Sequence, residues 1–291
     1  MAVVRLAYKL NPGVNILDTA KGLSIFGRSL VRQKQVFTVM GGLLVDNGDD
    51  NDNQNPDNLK VKLSTAPNNY YTRNAVSRCF SAWKKMRKHE LDRTGQKNIR
   101  GKYADFKILL DATPTGSYLN PIDAGSVLFS NGEWMYSDIR NEAGVEKSMM
   151  IVGPHASAYS AVQGWLESRS LPRANNPEMP DLNSDGTPDV EVDFIATLYQ
   201  DTNESTLRLE DIAEDNNSPP YNRSQLITSA STYSATQPKN LQLQFIAHHD
   251  LNETHVSVPG FQALCGLIRV DVEGGSNPIL IIDVETKGWS F

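Results

Sequence analysis

The last fifty residues decide most of what this chain can fold into. Leu241 to Ala247, Thr254 to Val258, Phe261 to Val272 and Pro278 to Glu285 are short apolar runs rich in β-branched residues, and Gly274-Gly275-Ser276-Asn277 breaks the last two apart. Runs this short, bounded by turn residues, read as strands rather than helices. Earlier segments repeat the pattern: Val36 to Met40, Leu59 to Leu63, Tyr103 to Leu110, Glu133 to Ser137, Ser148 to Val152 and Val190 to Tyr199. Many short strands with few helices between them imply an all-β sandwich or barrel. No internal repeat of fixed period is visible.

Two stretches break the strand pattern with helical spacing. From Thr72 onward Val76, Cys79, Phe80, Trp83 and Met86 fall on one stripe, and Arg78, Lys84, Lys85, Arg87 and Lys88 fall outside it, an amphipathic helix with a basic outer side. Ser157 to Ser168 predicts a second helix with Val162, Trp165 and Leu166 as its apolar face. Asp46 to Asn58 and Asn175 to Pro188, dense in Asp, Asn, Gly and Pro, read as solvated connections.

Charge is sorted along the chain rather than mixed. Residues 72 to 107 hold eleven Lys and Arg against Glu90, Asp92 and Asp105, whereas residues 175 to 217 hold twelve carboxylates against the single cation Arg208, in a chain of formal net charge −6. Residues 1 to 35 add Arg5, Lys9, Lys21, Arg28, Arg32 and Lys34 against Asp18 and show little sustained periodicity, which reads as an extended basic arm ahead of a folded domain over residues 36 to 291. Cations clustered in this way suit a polyanion, because Lys and Arg neutralise phosphates without reading sequence. Tyr70, Tyr71, Trp83 and Tyr103 lie close by in sequence as stacking platforms for bases, although aromatic residues on a helix stripe more commonly belong to a core.

Hydrophobic content of 39% and charged content of 21% fit a globular chain. The N-terminal residues lack the apolar run of a signal peptide and no stretch reaches the ~18 apolar residues of a membrane span, so the expectation is synthesis and retention in cytosol or nucleus. Cys79 and Cys265, each beside apolar residues, read as reduced and buried rather than bridged.

The chain carries no glycine-rich phosphate loop, His-Glu-x-x-His, Gly-x-Ser-x-Gly or Cys-x-x-Cys, and the reading is that it is not an enzyme. His248, His249 and His255 match no common zinc spacing. Asp181, Asn183, Asp185 and Asp189, with Gly186 at the sixth position, supply the start of a calcium loop, but Val192 stands where its bidentate acid belongs, so Ca2+ is a candidate ligand and no cofactor is required.

Several segments in order resemble the capsid proteins of small circular Rep-encoding single-stranded-DNA viruses: Thr65-Ala66-Pro67-Asn68-Asn69-Tyr70 ahead of the basic helix, Lys102-Tyr103-Ala104-Asp105-Phe106-Lys107, Gly132-Glu133-Trp134-Met135-Tyr136-Ser137, Val152-Gly153-Pro154-His155, Trp165-Leu166-Glu167-Ser168-Arg169, and Gly260-Phe261-Gln262-Ala263-Leu264-Cys265-Gly266-Leu267. The resemblance implies a single jelly-roll β-sandwich with one or two short helices in inter-strand connections. It implies self-assembly into an icosahedral shell around a single-stranded DNA genome, location in the virion and, during assembly, in host cytoplasm or nucleus, and no membrane partner. It further implies that the basic arm and helix line the inner wall and the acidic loops face outward. Where many such proteins begin with a dense Arg-rich arm, this one has six spaced cations, a pattern also consistent with an RNA-virus shell or a shell whose DNA is neutralised partly by other ions.

The expected genome contacts are therefore Arg5, Lys9, Lys21, Arg28, Arg32, Lys34, Arg73, Arg78, Lys84, Lys85, Arg87, Lys88, Arg93, Lys97, Arg100 and Lys102. Two other readings stand beside this one. A calcium-stabilised β-sandwich binding module for carbohydrate or protein would use residues 181 to 189 and Trp134, Trp165 and Trp289, and an enzyme would draw on Asp105, Glu133 and His155.

Overall fold

The structure, a computed structural model, describes residues 2–45, 59–93, 101, 103–129, 132–140, 146–155, 158–170, 240–249, 255–274, 277–286 and 288–290. The chain divides into two compact units, Met1–Ser168 with Ser224–Phe291, and Arg169–Arg223. The second lies outside the described residues except for the last two positions of one helix.

The first unit is built mostly of strands. In chain order these are β1 (Val3–Lys9), β2 (Gly13–Asp18), β3 (Gln35–Val45), β4 (Leu59–Thr65), β5 (Tyr118–Leu119), β6 (Asp138–Arg140), β7 (Glu146–Met150), β8 (Tyr159–Ser160), β9 (Gln242–His249), β10 (His255–Val258), β11 (Phe261–Leu264), β12 (Leu267–Glu273), β13 (Ile279–Glu285) and β14 (Trp289–Ser290). The connections carry α1 (Thr19–Gly27), α2 (Tyr70–Arg93) and α3 (Ala161–Ser170).

Four antiparallel pairings are nested in sequence: β1 with β13, β2 with β12, β3 with β10 and β11, and β4 with β9. Two further pairings, β13 with β3 and β12 with β4, join alternate pairs edge to edge. One sheet therefore runs β1-β13-β3-β10, with β11 and β14 also on β3, and the other runs β5-β2-β12-β4-β9. A small third sheet holds β6, β7 and β8.

Alternation on each strand selects its buried face. Leu280, Ile282 and Val284 of β13 point inward between half-exposed neighbours, as do Leu59, Val61 and Leu63 of β4. These meet Leu6, Tyr8, Phe37, Val39, Ile268 and Val270 in one apolar cluster contributed by both large sheets, so the sheets face each other across it. β12 departs from simple alternation because its other face is also covered. Leu267 joins a second cluster formed with α2, residues 106–110, residues 149–152 and α3, and Arg269 is covered by the segment carrying Asp111.

The basic arm expected over residues 1–35 is instead part of the fold. Leu6, Tyr8, Leu10, Ile16 and Leu17 are buried, β1 and β2 are integral to the two sheets, and α1 follows directly. Asp18 caps α1, its Oδ1 accepting from Lys21 N at 3.0 Å, and Arg28 closes it in the left-handed region at φ 47°. Asn11-Pro12-Gly13 cuts the two strands into pieces too short to show a clear period.

The run Phe261 to Val272 is two strands. Cys265 and Gly266, both at positive φ, form a turn that carries the chain from one sheet to the other. A Cβ on Gly266 would lie 2.2 Å from Thr19 Oγ1 and 2.9 Å from the Phe37 ring, so only glycine fits.

Tyr103 to Leu110 and Glu133 to Ser137 are irregular apart from an isolated bridge at Leu109. Side chains satisfy backbone donors that a ladder would otherwise occupy: Lys107 N donates to Ser137 Oγ at 3.0 Å, Ile108 N to Gln33 Oε1 at 2.7 Å and Leu110 N to Tyr118 OH at 3.0 Å. The Asp46–Asn58 tract, the acidic block of residues 175–217 and Val190 to Tyr199 lie outside the described residues.

Candidate nucleic-acid interface

α2 is started by Asn69, whose Oδ1 accepts from Thr72 N at 2.9 Å, and is held by Ala75, Val76 and Cys79, which are buried. Phe80 and Trp83 complete the contact, each with its ring edge or tilt against Phe106 at centroid distances of 5.5 and 5.6 Å. Met86, expected on the same stripe, is 56% exposed, because the apolar face ends one turn earlier. Burial pushes the Cys79 thiol up to about 12, and both cysteines are free and buried.

Opposite that face stand Arg73, Arg78, Lys84, Lys85, Lys88 and Arg93, all exposed. Arg87 is half-buried: it lies 5.2 Å from the Trp83 ring centroid and donates from Nη1 to Ala104 O at 3.3 Å. Lys34 and Lys84 both approach Phe80, at 4.6 and 5.9 Å. Two of the aromatics read as stacking platforms, Tyr71 and Trp83, are packed against the core; Tyr70 and Tyr103 are exposed.

The N-terminal cations divide. Lys21, Arg28, Arg32 and Lys34 lie near α2, at or between α1 and β3, and the first two share a hollow with Arg87. Arg5 and Lys9 belong to the edge strand β1, where Arg5 makes a bidentate pair with Asp283, Nε and Nη2 each 2.8 Å from a carboxylate oxygen. Arg32 Nε lies 3.0 Å from Asp105 Oδ2. Lys97, Arg100 and Lys102 are outside the described residues, as are Asp181, Asn183, Asp185 and Asp189. Among the described residues no group of three or more His, Cys, Asp and Glu is placed to hold a metal, and no helix is long and apolar enough to cross a membrane.

The hollow, about 900 Å³, is walled by α1, the C-terminal half of α2 and residues 101–107 and 132–138. At its base Asp18 is buried and accepts four hydrogen bonds: from Lys21 N, from Gln33 Nε2 at 2.7 Å, from Trp134 Nε1 at 3.2 Å and from Tyr136 OH at 3.1 Å. Burial pushes the Asp18 carboxyl up, and the Lys21 amide, Tyr136, the Lys21 charge and Trp134 pull it back. Burial likewise pushes Lys21 and Lys107 down, opposed by Asp18 for the first and by Asp105 and Asp18 for the second. Sequence reasoning missed Lys107, Trp134 and Tyr136 as members of this site, since nothing local indicates that Asp18 would meet residues 116 and 118 positions away.

Of the acid–base candidates, Asp105 and Glu133 line the hollow. His155 instead takes a hydrogen bond on Nδ1 from Ser160 N at 3.0 Å and lies 3.3 Å from Glu167 Oε2. Comparison with protein-family models, curated proteins and solved structures finds no match to the chain.

Proposed function

We propose that the chain is a jelly-roll capsid subunit that assembles with copies of itself around single-stranded nucleic acid. The observation that carries this reading is the nesting of strand pairs. A ladder of four antiparallel pairs, β1·β13, β2·β12, β3·β10/β11 and β4·β9, is rolled so that the first and third share one sheet and the second and fourth the other. Nesting of this kind supports a jelly roll, a two-sheet fold used by viral shells and also by lectin and cupin domains. The ordered resemblance to single-stranded-DNA virus capsid proteins, together with the exposed cations of α2, selects the shell from among those uses.

On this reading the genome contact does not lie on an arm. With Arg5 paired to Asp283 and β1 within a sheet, the contact surface falls to the outer side of α2 and the cations beside it. Its strength comes from neutralising phosphates and so falls steeply with salt.

The test is to express the intact chain alone and to follow particles by size-exclusion chromatography and negative-stain electron microscopy, with the 260/280 nm absorbance ratio as the measure of bound nucleic acid. Closed uniform particles carrying nucleic acid are expected. A monomer free of nucleic acid across a range of salt and calcium concentrations overturns the reading. Lys84→Glu, Lys85→Glu and Lys88→Glu together are expected to empty the particles without unfolding the subunit, because all three side chains are exposed.

A further inference from the structure

Lys21 and Lys107 line an open hollow although they are only 8% and 6% exposed. Lys107 Nζ donates to Tyr103 O at 3.2 Å and sits 4.8 Å from the Trp134 ring centroid. Lys21 Nζ has no hydrogen bond or ion pair among the described residues, and the nearby Asp18 carboxylate is already engaged by four other donors. Lys21 Nζ is not sealed from solvent, so its three N–H donors open onto the hollow. With one of its three donors taken by Tyr103 O, Lys107 adds further N–H groups at the same hollow for an anion.

The surroundings narrow the choice of anion. Arg28 and Arg87 stand on the same walls, and a neighbouring hollow of about 300 Å³ shares Trp83 and Arg87 while adding Arg32, Lys84 and Lys88. The acids facing the pair are Asp18 at the base, Asp105, already held by Arg32, and Glu133 and Asp138, so seven cations face four carboxylates. The row of cations continues out of the hollow along α2, as a chain of successive phosphates requires. Trp134 is fixed by its hydrogen bond to Asp18, and an anion bound at Lys107 lies beside its ring. A cavity of ~900 Å³ falls within the usual range of ligand sites.

We infer that this hollow is the seat for one nucleotide of a single strand, with Lys21, Lys107, Arg28 and Arg87 on its phosphate and Trp134 and Tyr103 beside its base. The inference rests on the nucleic-acid part of the proposed function, and gives that contact a formed pocket in addition to an exposed helix face. The asymmetry between rigid aromatics and under-partnered cations is that of single-strand sites, where stacking tolerates any base and charge tracks the backbone.

The test uses the intact chain and a fluorescein-labelled oligodeoxythymidine of about twelve nucleotides, followed by anisotropy from low to moderate salt. The double variant Lys21→Met, Lys107→Met is expected to bind about tenfold more weakly, with a salt slope shallower by about 0.7 for each phosphate no longer neutralised, and to have a urea midpoint equal to or above that of the parent. Arg28→Asn, an exposed position whose positive φ Asn accepts, is expected to weaken binding in the same direction and serves if the double variant does not fold.

Binding of either folded variant with parental affinity and slope overturns the pocket while leaving the shell reading intact. Displacement of the strand by dTMP or inorganic phosphate at an affinity equal to that of the oligonucleotide also overturns it, in favour of a free-anion site. If the parent binds no oligonucleotide at low salt, the pocket falls, and the particle experiment separately decides whether the shell reading falls with it.

Discussion

Arg269 offers the sharpest test of how the sheets are covered. Its guanidinium, 3% exposed, donates from Nε to Asp271 Oδ1 at 2.9 Å and from Nη1 to Asp111 Oδ2 at 3.0 Å, and Asp111 is itself 2% exposed. Arg269→Met keeps much of the aliphatic volume and leaves two buried carboxylates facing each other without a cation. Removing one partner of a buried pair costs about 3–5 kcal/mol. Asp111 Oδ1 still accepts from Thr113 N at 2.9 Å, which places the expected loss toward the middle of that range. With a urea m-value of about 3 kcal/mol/M, the midpoint should fall by roughly 1–1.5 M. Adding Asp111→Asn and Asp271→Asn should restore at least half of the loss at neutral pH. A deficit under about 1 kcal/mol would refute the argument, since it means that water reaches these groups.

Gly266→Ala should lose roughly 3 kcal/mol in the same unfolding assay, from left-handed strain together with overlap against Thr19 and Phe37, and a neutral result would mean the turn rebuilds. Tyr8 is fully buried and its hydroxyl has no hydrogen-bond partner among the described residues, so Tyr8→Phe should stabilise by about 1 kcal/mol, and a loss of that size would reveal a bound water as partner. Arg5 beside Asp283 holds that carboxyl below the usual carboxylate range. Its contribution is present above the unfolded pKa of about 3.9 and lost as pH falls through the lower folded value, so Asp283→Asn should flatten the acid limb of the stability curve. About 0.5 M salt should reduce the difference between Asp283→Asn and the parent, since the pair is solvent-exposed.

How much of this was readable in the residues depends on whether the signal was local. β4 follows from its own alternation, β9, β10 and β13 from short apolar runs bounded by turn residues, and α2 from its apolar stripe, because each carries its signal within itself. β1 and β2 do not: separated by Asn11-Pro12-Gly13, they acquire strand character from partners near the other end of the chain. The charges of residues 1–35 then suggested an arm, although two of the six cations are ion-paired and Lys21 is buried. The basic face of α2 was legible since cations off a helical stripe must face outward. The hollow was not, because its floor and walls come from segments brought together only by tertiary hydrogen bonds to Asp18.

The outermost of the nested pairs has a consequence in time. Arg5 meets Asp283 across 278 positions, and β3 likewise takes β13 as a neighbour. At a synthesis rate of ~5–20 residues per second, the first strand waits tens of seconds before its partner exists. Throughout that interval the backbone edges of β1 and β3 that face each other lack the strand that pairs with both. Until β13 is made a growing chain keeps that slot open, and on a polysome neighbouring nascent chains hold the same unfilled slot within reach. Whatever shields that slot during translation governs how much of the chain reaches its folded state.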